Sequence, residues 1–195
     1  MKTGMSLRER RVVFCIITLH ILLISLPYLW AFHLTPAGQS FGWALGNIED
    51  QNVHLSWARQ AADGTFFFRN LFTTEDIIVG QNSHYTNILC VLIGVLSRFL
   101  HLPLVLVYHV FRVIFAAMAL WWFYRLCFAL TNDRRARLLA LALAAFASGM
   151  GWICSSFALW GEKPFDTPGT FLMPEAFTFT SALFFPLFIV PIALL

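Results

Sequence analysis

Apolar stretches of membrane-spanning length restrict this chain to one broad class of fold. Three of them cover residues 12–32, 104–130 and 138–160, and a further one begins near 177 and is still apolar at 195. A helix needs about 20 mainly apolar residues to cross the hydrocarbon core of a bilayer. The sequence therefore predicts an all-α protein of polytopic transmembrane helices, with four spans at these positions.

The composition supports the same class. Hydrophobic residues make up 59% of the chain and charged residues only 12%, against about 25% charged residues in soluble domains. A soluble fold could not bury so much apolar surface, so we expect an integral membrane protein whose surroundings are the lipid bilayer. The basic residues form no stripe with interleaved aromatics, which argues against a nucleic-acid partner. The four cysteines lie in apolar stretches without C-x-x-C spacing and are predicted to be small buried hydrophobic residues.

Charge distribution predicts how the spans are threaded. Basic clusters precede the first apolar stretch and surround the turn at 131–137, whereas eight of the ten acidic residues fall within 49–76 and 162–175. Short loops rich in Lys and Arg stay in the cytoplasm. We therefore expect a cytoplasmic N-terminus, an uncleaved first helix, and outer loops at about 33–103 and 161–176. The apolar run at the end of the chain predicts the N-terminal part of a longer protein.

The stretch 85–99 is apolar but is not predicted to cross the membrane. If both basic clusters are cytoplasmic, an odd number of crossings must follow the first helix before the second cluster. The stretch 85–99 has only 15 residues and contains Arg98. It is predicted to be an interfacial or re-entrant helix on the outer face. Pro103 then separates it from the second span and suits a helix start.

A polar helix is predicted within the first outer loop. Asn47 is a suitable N-cap and Gly64 a suitable C-terminal stop. Between them Asp50 and His54 are four residues apart on one face, which Trp57 continues. Glu49 lies beside Asp50 in sequence but points about a quarter turn away.

Two interpretations of this acidic pair remain open. Asp50, together with Glu49, has the chemistry of a general base or of a divalent-cation ligand, with His54 orienting it. Alternatively, Asp50 stabilises the start of its helix through the helix dipole, and its pairing with His54 is only a surface contact.

Other polar residues near the predicted outer surface are secondary candidates. His84 and Tyr85 could contact a ligand or simply lie in water. Glu175 could join Asp50 across a site or cap the start of the fourth span. The aromatic run 66–72 is predicted to anchor in the membrane interface.

Two arginines lie within apolar stretches, where charges are costly and often functional. Arg112 suits a lipid phosphate, because its planar guanidinium binds phosphate oxygens in pairs. Snorkelling to the surface, or pairing with a loop acid, is the alternative. For Arg98 we expect snorkelling.

Several segments resemble one enzyme family. They are Glu49-Asp50, Trp57-Ala-Arg-Gln-Ala-Ala-Asp-Gly64, Asn70-Leu-Phe-Thr-Thr-Glu75, Tyr108-His-Val-Phe-Arg112 and Pro174-Glu-Ala-Phe-Thr-Phe179. With these segments in this order, the chain resembles the polyprenyl-phosphate-dependent integral membrane glycosyltransferases of the GT-C fold. That family includes protein mannosyltransferases and aminoarabinose transferases. Where the aminoarabinose branch carries Lys-Tyr-Pro-Pro, this chain has Gln81-Asn-Ser-His-Tyr85.

The resemblance implies a sugar donor carried on polyprenyl phosphate and an acceptor glycan, lipid or protein outside the cytoplasm, in the bacterial inner membrane. It implies that Asp50 is the base, Glu49 its neighbour and Glu175 a secondary acid. No cofactor is implied beyond a divalent cation. The rival classes are a polytopic transporter or flippase and a non-catalytic membrane assembly protein. The crowding of acidic residues outside the membrane disfavours transport.

Overall fold

A computed structural model describes residues 5–45, 48–69, 71, 86–147 and 178–184 of the chain. Its regular elements are the helices α1 Leu7–His33, α2 Ile48–Ala62, α3 Ile88–Leu100, α4 Leu104–Leu130, α5 Arg134–Phe146 and α6 Thr178–Phe184. The described part of the chain is therefore all-helical, as predicted.

Helices α1 and α4 are the two described helices that are long and apolar enough to cross a membrane. Each has 27 residues, which corresponds to about 40 Å at 1.5 Å per residue and exceeds the roughly 30 Å hydrocarbon core. The hydroxyl of Ser6 starts α1 by accepting a hydrogen bond from the Glu9 amide at 3.2 Å. The bounds of α4 coincide with the predicted second span.

Most of the apolar surface of α1 and α4 faces away from the other described residues. Large exposed side chains on the two helices include Leu22, Leu26, Leu29, Trp30, Ile114, Trp122 and Leu126. Such surface is unfavourable in water and usually marks an interaction with lipid or with another protein. This exposure agrees with the predicted membrane class, whereas the direction in which the helices cross stays a prediction.

The chain divides into two compact units, residues 1–46 with 112–195 and residues 47–111. The core of the first unit has two clusters of buried side chains. One is Val13, Ile17, Leu120, Tyr124, Leu141 and Ala145, and the other is Ile24, Ala116, Ala119 and Ala182. Both clusters join residues of α1 to residues of α4, and each also takes in one of the shorter helices.

The second unit is built on the packing of α2 against α3. Gly94 of α3 lies so close to α2 that a Cβ atom there would be 2.8 Å from the Ala61 Cβ atom and 2.8 Å from the Ala62 nitrogen. Ala58 and Ala61 are buried at the same crossing. Small residues on both helices thus allow the two backbones to approach closely.

Helix α2 ends at the predicted glycine. Gly64 has a φ of 98°; its amide donates to the Ala61 carbonyl at 3.0 Å, and the Thr65 amide donates to the Gln60 carbonyl at 2.9 Å. This pair of bonds is a Schellman motif, and glycine suits it because a side chain is strained at that φ.

Helix α3 is too short to cross a bilayer, which agrees with its predicted exclusion from the spans. It has 13 residues, or about 20 Å. It begins at Ile88 rather than near Tyr85, because the Asn87 side chain accepts from the Cys90 amide at 3.2 Å and caps the helix. His101, with a φ of 53°, follows its last residue.

Helix α5 differs from the predicted third span, 138–160. It begins earlier, because the Asp133 side chain caps it by accepting from the Arg135 amide at 2.9 Å. It ends at Phe146, after which Ala147 adopts an extended backbone with a ψ of 114°. The structure therefore departs from the predicted continuous helix at Ala147, immediately before the weak helix formers Ser148 and Gly149. The rest of this stretch, the second outer loop and most of the predicted fourth span lie outside the described residues.

Candidate functional site

The predicted face of Asp50, His54 and Trp57 is present on α2. Asp50 is exposed, and its charge acts on the His54 ring. The His54 and Trp57 rings lie 5.5 Å apart between centroids. A helical spacing of four and then three residues therefore brings a carboxylate, an imidazole and an indole together, as the sequence predicts.

The environment of His54 determines its charge. Burial lowers the pKa of His54 from its ordinary 6.5 to about 4, and the nearby Asp50 carboxylate only partly opposes this shift. The imidazole is therefore neutral near pH 7, where it can donate one hydrogen bond and accept another. The negative charge of Asp50 is thus not compensated by an imidazolium on the same face.

An aromatic contact fixes the indole that borders this face. The Trp57 and Phe68 rings stack at 6.1 Å with an angle of 6° between their planes, and Phe68 is buried. The segment that carries Phe68 is tied to α2 by two hydrogen bonds. The Gln60 amide nitrogen donates to the Arg69 carbonyl at 3.0 Å, and the Arg69 amide donates to the Gln60 side-chain oxygen at 2.8 Å.

Glu49 does not share the face of Asp50. Successive residues of an α-helix are about 100° apart, so Glu49 lies on the polar side of α2. It is exposed there with Asn52. The acidic pair therefore diverges, and Asp50 alone is placed to act together with His54.

Arg112 is buried in the first unit, where it holds main-chain carbonyls. Its Nη1 atom donates to the carbonyl of Ile24 at 3.1 Å and to that of Ala182 at 3.0 Å. Its guanidinium carbon lies 4.5 Å from the centre of the Tyr28 ring, and the Tyr28 hydroxyl donates to the Leu183 carbonyl at 2.8 Å. Among the described residues, Arg112 is buried and turned towards main-chain carbonyls instead of snorkelling to the surface. Phosphate binding by Arg112 stays a prediction.

No known protein family, curated protein or solved structure matches this chain.

Arg98 has an exposed side chain, which agrees with the predicted snorkelling, and it also contacts α2. Its Nη1 atom donates to the Ala62 carbonyl at 2.9 Å, at the C-terminal end of α2. Because helix C-termini carry unsatisfied carbonyls and a partial negative charge, an arginine stabilises this end. Arg98 thus contacts the end of α2 while its side chain stays exposed.

A buried ion pair in the first unit was missed by sequence reasoning. Glu9 Oε1 accepts hydrogen bonds from Arg137 Nη2 at 2.6 Å, from Arg137 Nε at 3.0 Å and from the Tyr124 hydroxyl at 2.7 Å. Arg137 Nη1 also donates to the Thr131 carbonyl at 3.0 Å. The available signal was Glu9 itself, an acid within a basic cluster at the start of an apolar helix.

A second missed residue is His20, which is fully buried on α1. Its Nδ1 atom lies 2.7 Å from the Ala145 carbonyl, and its ring meets that of Phe179 edge-on at 5.6 Å. An uncompensated polar side chain in the middle of an apolar helix was the sequence signal for it. Here it satisfies a carbonyl in the last turn of α5.

The structure does not describe the other residues predicted to belong to the site. His84, Tyr85, Glu175 and the proposed N-cap Asn47 lie outside the described residues. Within the described ranges no group of three or more His, Cys, Asp or Glu residues is arranged to hold a metal ion. Cys90 is buried, and burial raises its pKa to about 12, so it is an inert thiol. Cys15 is exposed, contrary to its predicted burial.

Proposed function

We propose that this chain is part of a membrane glycosyltransferase that moves a sugar from a polyprenyl-phosphate donor to an acceptor at the extracytoplasmic face of the membrane. The observation that carries the proposal is the exposed carboxylate of Asp50 beside a neutral His54, on a helix fixed by close packing. The segments that resemble the GT-C enzymes support the same reaction class.

The proposed chemistry requires one proton acceptor. An acceptor hydroxyl or amine attacks the anomeric carbon of the sugar and forms the new glycosidic bond. The bond from that carbon to the phosphate oxygen breaks, and polyprenyl phosphate leaves with the electron pair. Asp50 takes the proton of the attacking group as the new bond forms. A divalent cation held by Asp50 and the donor phosphate is compatible with this arrangement, since carboxylate and phosphate oxygens are its preferred ligands.

His54 is proposed to position this base. A neutral imidazole can hydrogen-bond to the carboxylate or to the acceptor without neutralising the negative charge that the proton transfer needs. Trp57, stacked on Phe68, restricts where the imidazole can move. Because preorganised groups act without reorganisation during the reaction, this packing favours catalysis.

In this proposal Arg112 is not needed as a contact to the donor. Its Nη1 atom is already engaged with the Ile24 and Ala182 carbonyls, and breaking these bonds in an apolar setting would be costly. Glu49, which points away from His54, is proposed to have no part in proton transfer. Glu175 keeps its predicted role as a secondary acid.

A polytopic transporter is the second candidate, and one observation favours it. Helix α5 ends at Phe146 within a stretch predicted to span the membrane, and the buried His20 lies against its last turn. Interrupted helices and buried polar groups inside the membrane are frequent at transport sites.

The test is native mass spectrometry of the full-length protein, gently extracted from its own membranes. Wild type, Asp50→Asn and the matched control Glu49→Gln are compared for bound polyprenyl phosphate and its glycosylated form. We expect glycosylated polyprenyl phosphate to accumulate on Asp50→Asn, because binding is intact but transfer is blocked. Glu49→Gln should behave like wild type.

Two results would argue against this function. Ordinary phospholipid alone on all three proteins would favour the transporter. Glycosylated lipid in equal amounts on Asp50→Asn and on wild type would remove Asp50 from the chemistry.

A further inference from the structure

Helix α3 has two opposite apolar faces, and the other described residues cover only one of them. The face against α2 contains the buried residues Leu89, Cys90, Ile93, Gly94 and Ser97. The opposite face contains Ile88, Leu92, Val95 and Phe99, which are 75%, 46%, 41% and 77% exposed. Their spacing of four, three and four residues keeps them within a narrow stripe. At 100° per residue the centres of the two faces lie about 160° apart.

The exposed face is uniform in chemistry. Its four side chains are large aliphatic or aromatic groups, and no charge interrupts them. The charged residue of α3, Arg98, turns instead to the Ala62 carbonyl of α2. A helix surface of this kind is unfavourable in water and usually lies against lipid or protein.

The connection to α4 favours lipid. Only residues 101–103 separate the end of α3 at Leu100 from the start of α4 at Leu104. Four steps of at most about 3.6 Å span roughly 14 Å, so the end of α3 must lie within that distance of the end of a helix long and apolar enough to cross a bilayer. If α4 spans the membrane, the C-terminal end of α3 is held at the membrane surface.

We propose that the Ile88–Leu92–Val95–Phe99 face of α3 lies in the lipid interface and that α3 sets the height of α2 above it. Because Gly94 brings the two helices into backbone contact, α2 is held one helix layer, about 8 Å, from the axis of α3. An interfacial helix lies about 5–10 Å deep at the boundary of headgroups and acyl chains. The Asp50–His54 face is thus placed level with lipid phosphate groups. This second part rests on the proposed function, whereas the membrane contact of α3 does not.

The test uses photo-crosslinking in the full-length protein, reconstituted in phosphatidylcholine vesicles. A photoreactive phenylalanine analogue is introduced at Phe99, at Leu92 and, as the control, at Asn52, which is exposed on α2. Mass spectrometry of the digested protein then identifies what each position has captured. We expect phospholipid adducts at Phe99 and Leu92 and none at Asn52.

Capture of protein at Phe99 and Leu92, from another segment of the chain or from a second copy, would overturn the proposal. So would equal lipid capture at all three positions, because the contact would then not be specific to this face of α3.

The effect on substrate height is tested separately. The substitution Leu92→Asn with Phe99→Asn leaves the α2 contact unchanged, and we expect bound glycosylated polyprenyl phosphate to fall on the order of tenfold, since small displacements of reacting groups are costly. Unchanged binding in this variant, when a probe at Val95 on the same face no longer captures phospholipid, would overturn the link between α3 and substrate height. If wild type carries only phospholipid while the probes at Phe99 and Leu92 still capture lipid, the proposed function is overturned and the membrane contact of α3 stands.

Discussion

Replacing Gly94 by alanine tests the packing that holds the candidate base in place. The added methyl group would lie 2.8 Å from the Ala61 Cβ atom and 2.8 Å from the Ala62 nitrogen, with the Ala58 carbonyl oxygen closer still. Non-bonded carbon atoms are normally about 3.5–4.0 Å apart. Two of these three neighbours are backbone atoms, which cannot rotate away as a side chain can. The substitution therefore forces α2 and α3 apart.

The expected loss of stability in Gly94→Ala is the difference between two opposing effects. Overpacking a close contact destabilises by about 1–3 kcal/mol, and separation of the helices also loosens buried neighbours such as Ala58 and Ile93. Alanine is favoured over glycine within a helix by about 1 kcal/mol, which offsets part of this. Because the clash involves backbone atoms, we expect an overpacking cost of about 3 kcal/mol, at the upper end of that range. After the gain from alanine, the net loss of stability is about 2 kcal/mol. This corresponds to a roughly 30-fold larger open population of the α2–α3 pair.

Amide hydrogen exchange followed by mass spectrometry measures this population directly. Peptides from α2 and α3 should exchange about 30-fold faster in Gly94→Ala than in wild type. The matched control is Gly42→Ala, because a Cβ atom at Gly42 would meet nothing within 4 Å and exchange should be unchanged. If α2 and α3 of Gly94→Ala exchange at the wild-type rate, the two helices do not meet at Gly94 as described.

Two further predictions concern buried titratable groups. Arg137→Met leaves the Glu9 carboxylate buried without its cation. We therefore expect the free energy of unfolding, measured by thermal unfolding, to fall by about 3–5 kcal/mol, and adding Glu9→Gln should restore part of it. For His54, the ordinary pKa of 6.5 exceeds the folded value of about 4, so the unfolded chain binds the proton first. Stability of the α2–α3 pair should therefore fall as the pH decreases from 6.5 to 4, by at most about 3 kcal/mol and by less because the ring is partly exposed.

The Arg137 and His54 predictions each have a matched control variant. Arg59→Met removes an exposed ion pair and should change stability by less than about 1 kcal/mol; a loss as large as that of Arg137→Met would contradict the distinction between buried and exposed pairs. His54→Gln cannot titrate in this range, and hydrogen exchange of α2 should then lose its dependence on pH. A slope as steep as that of wild type would assign the titration to another group.

The helices themselves were largely predictable, because their signals are local. An uninterrupted apolar run between Pro103 and the polar turn after Leu130 is enough to define α4. Gly64 ends α2, because a left-handed backbone position favours glycine wherever the helix lies in the fold. Likewise, the spacing of Asp50, His54 and Trp57 places them on one face of α2 through helix geometry alone.

The partners of the charged groups were not predictable, because they depend on distant parts of the chain. Glu9 meets Arg137 across 128 positions, and Arg112 meets the Ala182 carbonyl across 70. No local pattern distinguishes an arginine that binds carbonyls from one that binds a phosphate. The end of α5 at Phe146 was missed for a related reason, since the sequence stays apolar beyond it.

The sequence by itself determined which segments are apolar, how long they are and which residues share a helix face, since these follow from backbone geometry and residue type. Only the tertiary structure decided which groups are buried and what they bind. Burial makes His54 neutral and leaves Arg112 bonded to main-chain carbonyls, packing places Arg98 beside the end of α2, and the other described residues leave one side of α3 uncovered. Each of these depends on which helix packs beside another, because the free energy of a polar group in a protein is determined by its surroundings.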